Sequence, residues 1–208
     1  MARLGDLCPG TSAAAWIRDA RWCGAREAFV GSRTPGSRSE PLRVEERVAV
    51  QRILLVCTGN TCRSPMAAAL LRQRAARHAA LQHVTVDSAG LAAPTGEAAS
   101  PDAVQVMGRR GIALGAHRAR QVDAALVEHA DLILTMTPEH VSRLCERFPN
   151  AAGKAVTLGD YAGKSEAIPD PIGGGLPAHE RCAEQLDSLI APRRRVRRAA
   201  HRSKEHTG

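Results

Sequence analysis

Cys57 and Arg63 stand six residues apart in "LLVCTGNTCRSPMAAALL" (54–71), separated by small or polar residues and followed by Ser64-Pro65. With six cysteines and 26 arginines in 208 residues, about one such pair is expected by chance, so the context carries the weight. The cysteine ends a short aliphatic run with the look of a strand buried on both faces. Gly59 and Asn60 can adopt left-handed backbone conformations, and Ser64-Pro65 offers an N-cap followed by proline at the first helical position. A loop of this kind turns its backbone N–H groups inward around an anion at the positive end of a helix. Thr58, Gly59, Asn60, Thr61, Cys62 and Ser64 would then ring a phosphoryl group, with Arg63 supplying a planar fork for two of its oxygens. The same donors favour a thiolate over a thiol, which makes Cys57 a candidate nucleophile steadied by the Ser64 hydroxyl. The plain alternative is a buried cysteine at a strand end beside a surface arginine.

A thiolate that displaces an alkoxide, phenoxide or amine from phosphorus needs a proton donor for the leaving group. Asp170 in "AIPDPIGGG" is the candidate, held between two prolines, with Gly173, Gly174 and Gly175 allowing the loop to approach the site. Taken alone, an aspartate in a proline-rich turn is only a turn residue.

The elements around these residues read as alternating strands and helices. "RILLVC", "HVTVDSAG", "ADLILTM" and "KAVTL" are strand-like, the second ending near Ser88. Helices open at Ser64-Pro65, at Ser100-Pro101 and at Thr137-Pro138, the second stopping at Gly111 and the third running towards Phe148; a last helix starts at about Pro177. Short connections between such elements imply a four-stranded parallel sheet with helices on both faces, an α/β single domain. Ligands of such sheets bind beyond the carboxyl ends of the strands, where Cys57 stands.

Composition bounds the rest. The 208 residues carry 29 Lys and Arg against 21 Asp and Glu. The excess sits at the ends: residues 53–190 hold 13 basic and 14 acidic side chains, whereas 191–208 hold seven and one. We expect residues 1–50 to be an extension, disordered or partly helical, or sequence upstream of the true start; residues 51–190 to form the domain; and residues 191–208 to be a solvated, disordered basic tail. Only five aromatic residues occur, so the core must be aliphatic. Scarce aromatics and a near-neutral middle argue against a nucleic-acid binder. Neither a membrane span nor a secretory signal is visible, so a cytoplasmic protein is the expectation. The cysteines form no zinc pattern, and no metal or other cofactor is called for, because the loop and Arg63 already neutralise the phosphoryl oxygens.

"VCTGNTCRSP" (56–65) and "PDP" (169–171), with "DSAG" (87–90) at the end of the second strand, resemble the low-molecular-weight protein tyrosine phosphatase family over roughly residues 52–190. The resemblance implies hydrolysis of phosphorylated protein side chains through a phosphocysteine. It implies that Cys57 is the nucleophile, Arg63 the phosphate clamp and Asp170 the acid and then the base. Asn60, Ser64 and Ser88 would hold the loop in shape, and Cys62 would form a reversible disulfide with Cys57 under oxidation. Thr61 and "DPIGG", with no aromatic in the acid loop, look more like the bacterial protein arginine phosphatase branch than the tyrosine-specific one. Ala68 stands where the family commonly has Glu. Arsenate reductase on the same fold is the nearest alternative, but Cys145 and Cys182 are far apart, whereas that chemistry uses a close pair. A non-catalytic phosphate-binding scaffold is a further one, opposed by the complete set Cys57, Arg63 and Asp170. His117, His129, His140 and His179 are dispersed and read as surface or satisfied histidines. "GAHRARQV" (115–122) resembles a segment at the site rim, with Arg118 and Arg120 read as solvated.

Overall fold

The computed structural model describes residues 50–191; the expected N-terminal extension and nearly all of the basic tail lie outside the described residues. Strand β1 (Arg52–Cys57) is the second strand of a four-stranded parallel sheet. It lies between β2 (Thr85–Gly90) and β3 (Leu132–Thr135), and β4 (Ala155–Thr157) pairs outside β3. Alternation of side chains along β1 divides the core. Ile53, Leu55 and Cys57 join one apolar cluster, and Leu54 and Val56 the other.

The first cluster is covered by α1 (Arg63–Ala76), α2 (Pro101–Arg109) and α6 (Gly175–Ile190). On the opposite face pack α3 (Ala124–His129) and α4 (Pro138–Arg147). The short α5 (Leu158–Tyr161) follows β4 directly. Leu, Ile, Val and Ala fill both clusters, with Met66, Met107 and Met136 in the first, and β1 is buried on both faces, which is why the strand reads as an unbroken aliphatic run. No helix among the described residues is long and apolar enough to cross a membrane.

Chain order reverses between β1 and β3: the chain leaves β1 for β2 on one side and returns to β3 on the other. The crevice beyond that switch point receives the loop that follows Cys57. Two caps match the sequence reading: Ser100 accepts the Ala103 N–H, and Thr137 the His140 N–H.

Three local expectations are corrected. Helix α1 begins at Arg63 with Cys62 as its N-cap residue, so Ser64 is inside the first turn and Pro65 follows it. The Ser64 hydroxyl is taken by Cys57 Sγ and Asn60, which outcompete a cap. Of the two residues able to take left-handed backbone, only Asn60 does, at φ 55°. The last helix also starts two residues before Pro177, at Gly175, where φ is 62°.

Gly90 marks where β2 meets the loop. A Cβ there would lie 2.5 Å from the Thr58 carbonyl oxygen and 3.0 Å from the Asn60 nitrogen. Gly90→Ala is therefore expected to cost about 1–3 kcal/mol and to lower kcat/KM together with stability, because relief of the clash displaces the loop. Urea unfolding and initial rates on one preparation check both.

Candidate active site

The loop wraps around the sulfur of Cys57. Asn60 N–H donates to Sγ at 3.3 Å, and Ser64 Oγ lies 3.0 Å from it. Asn60 Nδ2 donates to Ser64 Oγ at 2.9 Å and to Ser88 Oγ at 3.0 Å. Since Ser64 accepts from Asn60, its own proton can go to the sulfur at 3.0 Å or to Ala89 O at 3.4 Å. Asn60, Ser64 and Ser88 are all buried, so each polar atom must find a partner, and these three find one another.

Other partners of the loop come from distant sequence. The Arg120 N–H donates to Asn60 Oδ1 at 3.0 Å, and the Arg120 side chain reaches Ser88 O and Asp87, so it is anchored where the sequence suggested a solvated arginine. His117 Nε2 donates to Asn60 O at 2.7 Å, and burial lowers its pKa. His140 Nε2 lies 2.9 Å from Thr58 Oγ1, and its Nδ1 3.0 Å from Thr137 Oγ1. Histidines that sequence reasoning set aside as surface or satisfied thus include two that bear on the loop, while His129 stays exposed. The signals were available: His117 lies in the segment resembling the site rim, and His140 follows a Thr-Pro helix start.

His140 has its pKa pushed down to about 4 from the ordinary 6.5, first by burial and then by the nearby Arg63 guanidinium. It folds as neutral imidazole, whereas the unfolded chain takes up a proton below 6.5. Its contribution to stability is thus complete above 6.5 and is lost as pH falls towards about 4. The urea midpoint is expected to drop across that window, and to drop less steeply in His140→Gln.

Arg63 is buried, and its guanidinium meets the Asp170 carboxylate and donates to Ile168 O at 3.4 Å. The contact joins residues 107 apart in sequence and brings the expected clamp and acid together. Asp170 Oδ1 also accepts the Ile172 N–H at 3.2 Å, which fixes the carboxyl within its own turn. Gly173 has φ 82°, a conformation that suits glycine just beyond Asp-Pro. Thr58, Gly59 and Thr61 are half-buried on the same loop.

The remaining cysteines among the described residues are Cys62, Cys145 and Cys182. Burial pushes the Cys182 thiol up to about 12, and burial also raises Cys145 and Cys62. Cys62 Sγ donates to Ser100 Oγ at 3.1 Å. Cys145 sits on α4 in the cluster opposite Cys57, whereas Cys182 packs in the Cys57 cluster; the two do not form the close pair a reductase relay uses.

A parallel α/β domain with a cysteine-centred anion loop at its switch point, facing an arginine–aspartate pair, is the framework of a cysteine-dependent phosphatase. The model of the low molecular weight phosphotyrosine protein phosphatases matches residues 52–193, and the chain belongs to that family. A protein-arginine-phosphatase of Geobacillus stearothermophilus is 42% identical over 140 residues, 67% of this chain and 90% of that protein. The low molecular weight protein-tyrosine-phosphatase Wzb of Escherichia coli K12 is 44% identical over 119 residues, 57% of this chain and 76% of that protein. A solved structure of the YwlE arginine phosphatase, a cysteine-to-serine mutant with a phosphorylated active-site serine, superimposes with a TM-score of 0.63. It is 36% identical and covers 67% of this chain and 91% of that one.

Proposed function

We propose that the protein hydrolyses phosphorylated protein side chains through a phosphocysteine on Cys57, with phosphoarginine preferred over phosphotyrosine. The observation that carries the reading is the sulfur of Cys57 held at the centre of a loop of donors with Arg63 and Asp170 at its mouth. Substrate oxygens take over the Arg63 guanidinium and the loop N–H groups, which releases the Asp170 carboxyl towards the leaving group. Cys57 attacks phosphorus in line, Asp170 protonates the departing oxygen or nitrogen, and the Ser64 hydroxyl steadies the thiolate when it leaves again. Water activated by Asp170 then hydrolyses the phosphocysteine. Thr58, Gly59, Asn60, Thr61 and Cys62 complete the phosphate cradle, and Ser88 supports it through Asn60. Cys62 serves as the resolving thiol for oxidised Cys57. A phosphorylated active-site serine in the arginine phosphatase relative supports a covalent route.

The preference for phosphoarginine rests on the rim. Ile172, 67% exposed, is the side chain that follows Asp-Pro, and three glycines come next, so the acid loop offers no aromatic wall to a phenyl ring. Thr61 gives the loop a hydroxyl that can accept from a guanidinium N–H. In metal-free buffer with reductant, and with Cys57→Ser as blank, kcat/KM on phosphoarginine peptides is expected to exceed that on phosphotyrosine peptides by about tenfold or more. The reverse order makes this a tyrosine phosphatase with a reduced pocket, and inactivity on both refutes the reading.

A further inference from the structure

Beside the loop, three side chains from three segments form a hydrogen-bonded chain. Cys62 Sγ donates to Ser100 Oγ at 3.1 Å, and Ser100 Oγ lies 3.3 Å from His179 Nε2. His179 Nδ1 lies 2.9 Å from Gly175 O and 3.6 Å from Asp102 Oδ2. Cys62 and His179 are buried.

The partners set the direction of every proton. Gly175 O only accepts, so Nδ1 carries a hydrogen, and in the tautomer with that single hydrogen Nε2 is an acceptor. Ser100 therefore donates to Nε2, and its lone pairs receive the Cys62 S–H and the Ala103 N–H at 3.2 Å. The arrangement runs one way, from thiol to hydroxyl to imidazole, with a carboxylate in ion-pair reach of the far ring nitrogen. Burial meanwhile holds Cys62 in its protonated form, so the thiol is a poor nucleophile unless a base takes its proton.

We infer that Ser100 and His179, backed by Asp102, form a proton relay that activates Cys62 as the thiol that resolves an oxidised Cys57. The inference rests on the proposed resolving role of Cys62 and adds the base that this role needs. A peroxide oxidises the Cys57 thiolate by two electrons to the sulfenic acid and leaves as hydroxide. The Cys62 proton then passes to Ser100 Oγ while the Ser100 proton passes to His179 Nε2. The Cys62 sulfur bonds to the Cys57 sulfur, the S–O bond breaks, and the departing hydroxide is protonated to water; His179 then gives its proton back to solvent. The sum is a sulfenic acid and a thiol giving a disulfide and one water. Resolution competes with further oxidation of the sulfenic acid to the sulfinic acid, which thiol reductants do not reverse.

Two substitutions separate the base from the bond. His179→Asn can keep the donor to Gly175 O but offers nothing at the position of Nε2, whereas His179→Gln can accept from Ser100 without taking up a proton. Full-length protein is treated with hydrogen peroxide, quenched at intervals by alkylation, and the disulfide and the Cys57 sulfinic acid are counted by mass spectrometry. Both variants are expected to keep phosphatase activity under reductant within about twofold. Both are expected to form the disulfide at least about tenfold more slowly and to gain sulfinic acid in proportion. Disulfide formation by His179→Gln at the wild-type rate overturns the relay while leaving the resolving role intact. Wild type that accumulates sulfinic acid as fast as Cys62→Ser overturns the resolving role itself, and the relay with it. Should both His179 variants misfold, Asp102→Asn at its half-exposed position is expected to slow disulfide formation two- to fivefold, and an unchanged rate overturns the relay.

Discussion

Cys57→Ser is expected to lower turnover by about 10⁴-fold or more on every phosphorylated substrate, with little change in affinity for inorganic phosphate. In the loop that surrounds Sγ, the Asn60 N–H lies at 3.3 Å and Ser64 Oγ at 3.0 Å from the sulfur. Neither contact is a base able to remove the far less acidic proton of a serine hydroxyl. The N–H groups and Arg63 remain, so binding survives while attack on phosphorus does not. Initial rates with saturating substrate, beside phosphate inhibition constants, separate the two effects. Turnover in the variant within tenfold of wild type would end the covalent mechanism.

For Asp170→Asn the expected loss is about 10²- to 10³-fold in kcat on substrates with poor leaving groups, shrinking to a few-fold on an activated aryl phosphate. The amide oxygen still accepts the Ile172 N–H, so the turn keeps its place, while the contact of Arg63 with the other carboxylate oxygen is lost and leaves the guanidinium to the phosphoryl oxygens. What disappears is the transferable proton, and only leaving groups that need it notice. A plot of log kcat against leaving-group pKa should therefore steepen in the variant. Equal loss across the series would assign Asp170 a purely positional role.

These two effects differ from the softer ones at Gly90, which acts through the shape of the loop, and at His140, which acts through protonation of a buried ring beside it. Gly90 matters because the Thr58 carbonyl approaches its backbone closely, and His140 because Thr58 leans on its ring. The loop is thus supported from β2, from the segment around Arg120 and from the start of α4.

Much of this was legible in the residues alone. An aliphatic run ending in cysteine, small residues with Asn60 among them and a helix start determined the strand and the loop after it, because each depends on local backbone preferences and periodicity, and they made Cys57 the candidate nucleophile. The sequence likewise determined the parallel α/β class, since alternating strands and helices with short connections leave few other arrangements. Local patterns overreached where side chains had a better partner: Ser64 reads as a cap, but in the fold its hydroxyl belongs to Cys57 and Asn60. Only the tertiary structure decided which of several dispersed histidines face the loop, that Arg120 is anchored on it, and that Asp170 meets Arg63. It alone joined Cys62, Ser100 and His179 into one chain of hydrogen bonds. Contacts between residues 38 to 107 positions apart leave no periodic trace in the sequence, because they are set by how the strands order themselves and which helix faces close over them.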